Sequence, residues 1–172
     1  MRGGQRRRRV YCLLGHTLEC IDHELRFVRH GLDAQAGDLL VIDMCQAYGS
    51  PADPELLRAR DPVLTMPLPA AEVAWLAGPV LRYGKDVNRV ELSLELDLHR
   101  GLPGSYAIDA VVTAHSPKRA PRRFVMRQYK RYDAARLGQS LSPLGWELLA
   151  MPPVRGSGDQ STVAMVWVRR DD

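Results

Sequence analysis

Two continuous apolar runs with a helical stripe between them constrain this chain more than any other feature. Arg-Val-Tyr-Cys-Leu-Leu (9–14) and Leu-Leu-Val-Ile-Asp-Met (39–44) are short and almost unbroken. That is the pattern of strands buried on both faces, as in a parallel sheet. Across Glu19 to Leu32, the residues Ile21, Leu25, Val28 and Leu32 fall on one helical face. Strand, helix, a Gly37-Asp38 turn and strand make a βαβ unit, whose crossover is expected to be right-handed. At 172 residues the chain is long enough for one domain with a real core.

The middle of the chain changes period. Five prolines between Pro51 and Pro69 forbid a long helix, although Asp53 to Arg60 suits a short one. Ala70 to Tyr83 reads as a helix that Pro79 breaks or kinks. Val90, Leu92, Leu94, Leu96 and Leu98 alternate with polar residues, the mark of a half-exposed antiparallel strand. Tyr106 to Ala114 and Arg122 to Tyr129 complete a meander, joined by a basic loop from His115 to Arg123. Asp133 is placed to cap a helix reaching Leu144, and Gly145 ends it. Trp146 to Met151 and Thr162 to Arg169 form a closing pair of strands, and Trp146 reads as a core anchor.

Charge is concentrated at one end. The net charge is +4, and Arg2, Arg6, Arg7, Arg8 and Arg9 supply more than all of it, so the body is nearly neutral. Residues 1–9 read as a flexible basic arm. Such an arm suits nucleic acid or an acidic lipid surface, but a solvated end is the plainer reading. No apolar run is long enough to span a bilayer, and no secretory signal is apparent, so the expected setting is cytoplasmic without membrane. Cys12, Cys20 and Cys45 are odd in number, lack Cys-x-x-Cys spacing and sit beside apolar residues, as reduced core thiols do. Cys12, His16, Cys20 and His23 are close in sequence but lack zinc-finger spacing, and no metal site is expected.

Three short motifs then stand in a telling order: Leu13-Leu14-Gly15-His16-Thr17-Leu18, Gly37-Asp38-Leu39-Leu40-Val41-Ile42-Asp43 and Leu144-Gly145-Trp146-Glu147-Leu148. The chain resembles the carboxyl half of a class I methyltransferase dependent on S-adenosylmethionine (SAM). In that family these motifs follow the fourth strand, enter the fifth and enter the sixth. Asp53-Pro54-Glu55-Leu56-Leu57, Arg89-Val90-Glu91 and Arg131-Tyr132 extend the resemblance to the histidine-specific, ergothioneine-pathway type. The implied fold is α/β, a partial Rossmann-like methyltransferase sheet with a βαβ unit, an antiparallel insert and a terminal strand hairpin. It would occupy residues 10–172, with the insert at about 50–130.

The resemblance implies methyl transfer to a small-molecule amine. Gly15 and Thr17 would face the cofactor. Cys20, Arg60, Arg127 and Tyr129 match the family's substrate-binding positions with altered chemistry. An arginine cannot accept a hydrogen bond from an imidazole, which argues against histidine as substrate. No catalytic residue is assigned. The glycine-rich turn that meets SAM is missing: Gly3-Gly4 follows no strand, and Gly156-Ser157-Gly158 leads into a hairpin. The expectation is therefore a truncated or inactive unit that binds SAM only if a partner or an amino-terminal half completes it. Without that half, the Arg9–Leu14 strand becomes an open edge prone to self-association. Asp43 could face the same crevice as Gly15. The alternative is a non-enzymatic binding module, with Lys118, Arg119, Arg122, Arg123, Arg127, Lys130 and Arg131 available for nucleic-acid phosphates and Tyr129 and Tyr132 for stacking.

Overall fold

The chain alternates strands and helices in the order the apolar periods predict. The structure, a computed structural model, describes residues 7–152 and 162–171. In chain order the elements are β1 (Val10–Leu13), a 3-10 turn (Thr17–Cys20), α1 (Glu24–His30), β2 (Leu39–Cys45), α2 (Pro54–Arg60) and α3 (Pro62–Thr65). Then come α4 (Ala70–Tyr83), β3 (Arg89–Asp97), β4 (Tyr106–Ser116), β5 (Arg119–Arg131), α5 (Ala134–Leu141), β6 (Trp146–Ala150) and β7 (Thr162–Arg169). They form two compact units. Unit 1 is Met1–Ala47, Gly101–Gly104 and Arg131–Asp172; unit 2 is Tyr48–Arg100 and Ser105–Lys130. The arginine arm up to Arg6 and the Gly156-Ser157-Gly158 connection lie outside the described residues.

Unit 1 is a four-stranded sheet in the order β1-β2-β7-β6. β1 and β2 run parallel, with Val10 opposite Leu39 and Leu13 opposite Ile42. β7 is antiparallel to both β2 and β6 and lies between them. Two parallel strands with an antiparallel last strand inserted beside them make this a mixed α/β sheet, in the strand order expected from the sequence. The core follows from the period of two: Leu40, Ile42 and Met44 of β2 and Met165 and Trp167 of β7 are buried, joined by Val28, Trp146 and the Leu137 and Leu141 face of α5. Asp133 starts α5 by accepting the Arg136 N–H at 3.0 Å. Gly145 ends the following turn at φ 74°, a backbone region glycine enters without strain.

Unit 2 pairs β3, β4 and β5 in that order. The central strand β4 is buried from Tyr106 to Val112, whereas β3 alternates exposed and half-buried residues. Asp53 caps α2 through the Leu56 N–H, and Asp61 caps α3 through the Val63 N–H. Asp61 is fully buried and also accepts the Tyr106 hydroxyl at 2.9 Å. Among the described residues no helix is long and apolar enough to cross a membrane.

Several expectations are corrected. The helix expected from Glu19 to Leu32 is a 3-10 turn plus the seven-residue α1, because Ile21 between them takes an extended backbone. Pro79 lies inside an unbroken α4. The carbonyl it deprives of a donor is that of Trp75, an exposed residue, so water can replace the bond. The strand β1 is not buried on both faces: Val10 is 57% exposed, since β1 has a sheet neighbour on one side only among the described residues. Cys12 and Cys20 are exposed for related reasons, on the edge strand and at the end of the 3-10 turn, and only Cys45 is a core thiol. The expected basic loop is a tight turn at Pro117-Lys118, and its flanks continue as strand.

Candidate functional site

In unit 1 the chain leaves β1 through Gly15 and His16, both left-handed, at φ 68° and 60°. Glycine adopts this freely, whereas the histidine pays roughly 1 kcal/mol. Asp43 of the neighbouring strand holds the turn. Its Oδ2 accepts the Gly15 N–H at 2.9 Å and its Oδ1 the His16 N–H at 3.0 Å. The Thr17 hydroxyl donates back to the Leu14 carbonyl. The turn therefore sits rigidly at the carboxyl ends of two parallel strands, where open α/β sheets place ligands. A Cβ added at Gly15 would meet no atom within 4 Å, so a ligand has room to approach the backbone here. The two amides are already engaged, and a ligand would meet the outer surface of the turn.

Beneath the turn lies a polar cluster. Glu19 and Glu24 are both buried. The buried Tyr132 hydroxyl is 3.0 Å from Glu24 Oε1 and 3.2 Å from the Leu18 carbonyl, and both are acceptors. The Tyr132 backbone joins the end of β2, donating to the Cys45 carbonyl and accepting from the Ala47 N–H, each at 2.9 Å. Burial, then the Glu24 and Glu19 carboxylates, push the Tyr132 phenol well above its ordinary value. An unfolded tyrosine ionises near pH 10. The folded phenol stays protonated there, so its stabilisation is intact below about pH 10 and falls as pH rises, by up to about 1.4 kcal/mol per unit. Denaturant titrations between about pH 9 and 11 are expected to show this slope in the wild type and a shallower one in Tyr132→Phe.

Of the residues matched by resemblance, Gly15, Thr17 and Cys20 fall in this one turn, with the Cys20 thiol 3.9 Å from the His16 carbonyl. Arg60, Arg127 and Tyr129 belong to unit 2. Arg60 is the exposed last residue of α2. Arg127 and Tyr129 both donate to Glu72 Oε1, at 2.8 and 2.5 Å, and the guanidinium lies 4.6 Å from the Tyr129 ring centre. Glu72 of α4 is thus a partner that the sequence reading missed; no spacing rule links positions so far apart. The basic stretch is largely occupied: Arg123 pairs with Glu95, Arg127 with Glu72, and Lys130, Arg131 and Tyr132 are buried. An open phosphate-binding stripe is not what these side chains form.

Unit 2 also carries an apolar groove of about 580 Å³ between the end of α4 and its sheet, lined by Val80, Tyr83, Val87, Phe124 and Met126 with Arg119 beside them.

Against known proteins, no family model and no curated sequence matches this chain. Among solved structures it is similar to an S-adenosylmethionine-dependent methyltransferase from Clostridium acetobutylicum ATCC 824. The identity is 10% and the TM-score 0.40, over 96% of this chain and 61% of the other. It is also similar to the CcbJ methyltransferase from Streptomyces caelestis, with 14% identity and a TM-score of 0.39 over 99% and 61%. The chain thus spans 61% of the length of each. At such scores the class of the fold rests on the strand order of unit 1.

Proposed function

We propose that this chain is a methyltransferase-like domain in which the Gly15–Thr17 turn, braced by Asp43, forms one wall of a SAM crevice. The observation that carries this reading is the order β1-β2-β7-β6 with β7 antiparallel, which leaves the turn at the carboxyl end of β1. SAM supplies the activated methyl group, and the protein's work is to place an acceptor in line with it. The acceptor class, from the resemblance, is a small-molecule amine. Histidine fits poorly, because Arg127 and Tyr129 are committed to Glu72. The opposite wall, with its glycine-rich turn, belongs in this reading to polypeptide that pairs on the edge of β1 that has no strand partner among the described residues. Titration calorimetry of the isolated chain with SAM and its demethylated product tests the need for completion. Dissociation constants weaker than about 100 μM are expected. Micromolar affinity would overturn that need.

The same edge drives self-association of the isolated chain. The Leu39 N–H donates to the Arg9 carbonyl, so residues 9, 11 and 13 face β2, and Val10 and Cys12 direct their N–H groups outward. Sedimentation velocity is expected to show an average mass rising with concentration. Cys12→Pro removes an outward donor without touching the β2 ladder, and this variant is expected to remain monomeric.

A second reading has one observation in its favour. The apolar groove of unit 2, with Arg119 and Lys85 among its lining residues, suits an apolar anion and would make the chain a non-enzymatic binding module.

A further inference from the structure

Three side chains of unit 1 converge without any sequence motif to announce them. His16 Nδ1 lies 2.8 Å from Glu19 Oε1 and 3.4 Å from Cys45 Sγ. The three ligand-type atoms all lie within 4.8 Å of one another. Glu19 and Cys45 are each 7% exposed, while the His16 side chain is 40% exposed and opens the cluster to solvent.

The geometry separates two kinds of chemistry. A thiol–imidazole–carboxylate relay needs the thiol and the carboxylate on opposite ring nitrogens, one to pass the proton and one to orient the ring. Here both address the same nitrogen, Nδ1. Three donor atoms within 4.8 Å of one another are instead spaced as ligands around a shared cation would be. One sulfur, one nitrogen and one oxygen suit a borderline metal such as Zn²⁺, whereas Mg²⁺ and Ca²⁺ favour oxygen alone. Zinc bonds of about 2.0–2.3 Å in a tetrahedron need the closest pair of donors to separate only slightly.

The surroundings hold these ligands in place. Asp43 fixes the left-handed backbone of His16 through two amides. Glu19 Oε1 also lies 3.4 Å from the Cys45 backbone N–H, which ties the carboxylate to the end of β2. The parallel pairing of β1 and β2 brings the turn and Cys45 together. We propose that His16, Glu19 and Cys45 bind one Zn²⁺ ion through three protein ligands, leaving a fourth position open on the solvent side. Three protein ligands and an open position are the features of zinc sites that act on a bound water or substrate. His16 also belongs to the turn of the SAM reading, but the zinc proposal rests on the three side chains alone and holds whether or not SAM binds.

The test uses the full chain, without affinity tag and stripped by chelator. Zinc is titrated in competition with a chromophoric chelator, and Co²⁺ replaces it for absorption spectra. One equivalent per chain is expected, with a thiolate-to-cobalt charge-transfer band and visible bands of tetrahedral intensity. His16→Gln, at a partly exposed position, is expected to weaken zinc at least tenfold with an unchanged circular dichroism spectrum. Cys45→Ser is expected to abolish the charge-transfer band, and Cys12→Ser and Cys20→Ser to retain it. Because the buried Cys45 variant could fail to fold, the wild-type spectrum and His16→Gln decide. Absence of the charge-transfer band in the wild type at saturating Co²⁺, or unchanged zinc affinity in His16→Gln, overturns the proposal.

Discussion

Truncating Trp167 to alanine is expected to destabilise the chain by about 3–5 kcal/mol, a large share of the roughly 5–15 kcal/mol that holds a domain folded. Trp167 is 1% exposed and sits in the strand inserted between β2 and β6, with Leu40 and Leu148 as its cross-strand partners. It also meets α5, since a Cβ on Gly138 would lie 3.4 Å from its ring. Removing the indole leaves a cavity where sheet and helix meet, and the strands on either side cannot close over it. The indole Nε1 is buried without a hydrogen bond among the described residues. Phenylalanine loses ring volume but also discards that unsatisfied donor, so Trp167→Phe is expected to cost less than about 1.5 kcal/mol. Urea denaturation of the two variants measures both values. Equal losses would mean that the polar atom has a partner in solution.

Asp43→Ala is expected to cost about 2 kcal/mol, because one carboxylate satisfies two backbone donors in strained geometry. Without it, Gly15 and His16 have no reason to stay left-handed, and the turn relaxes. Asp43→Asn keeps one acceptor oxygen and is expected to lose about half as much. The change is local: Asp43 is half-buried, and the core face of β2 is carried by Leu40, Ile42 and Met44. Loss of amide protection at residues 15–18, with retained protection in β7, is the hydrogen-exchange signature. Uniform loss across unit 1 would instead make Asp43 a general stabiliser.

Much of the fold was legible because its signals are local. The run 39–44 became β2 with one residue added, and α4 and β7 span the ranges their periods imply. The stripe from Ile21 to Leu32 misled, because Ile21 and Leu32 both pack on the core without belonging to α1. A shared apolar face does not require one continuous helix. Edge exposure of β1 follows from its having one sheet neighbour among the described residues and not from its own composition, which reads as a buried strand.

The candidate site was legible only as far as position in a βαβ unit reveals it. Gly15 and Thr17 stand out because they follow a parallel strand. The cluster of His16 and Glu19 with Cys45 does not, because the pairing of β1 with β2 brings its members together across the whole crossover. The Glu72 partnership with Arg127 and Tyr129 has the same origin, a helix and a strand far apart in sequence.

Amide shift mapping of the isotope-labelled chain with S-adenosylhomocysteine, raised to about 1 mM to detect weak binding, tests the crevice most directly. The account predicts shifts confined to Gly15, His16, Thr17, Leu18 and Asp43. An unchanged spectrum, or shifts only at groove residues such as Phe124 and Met126, would contradict it.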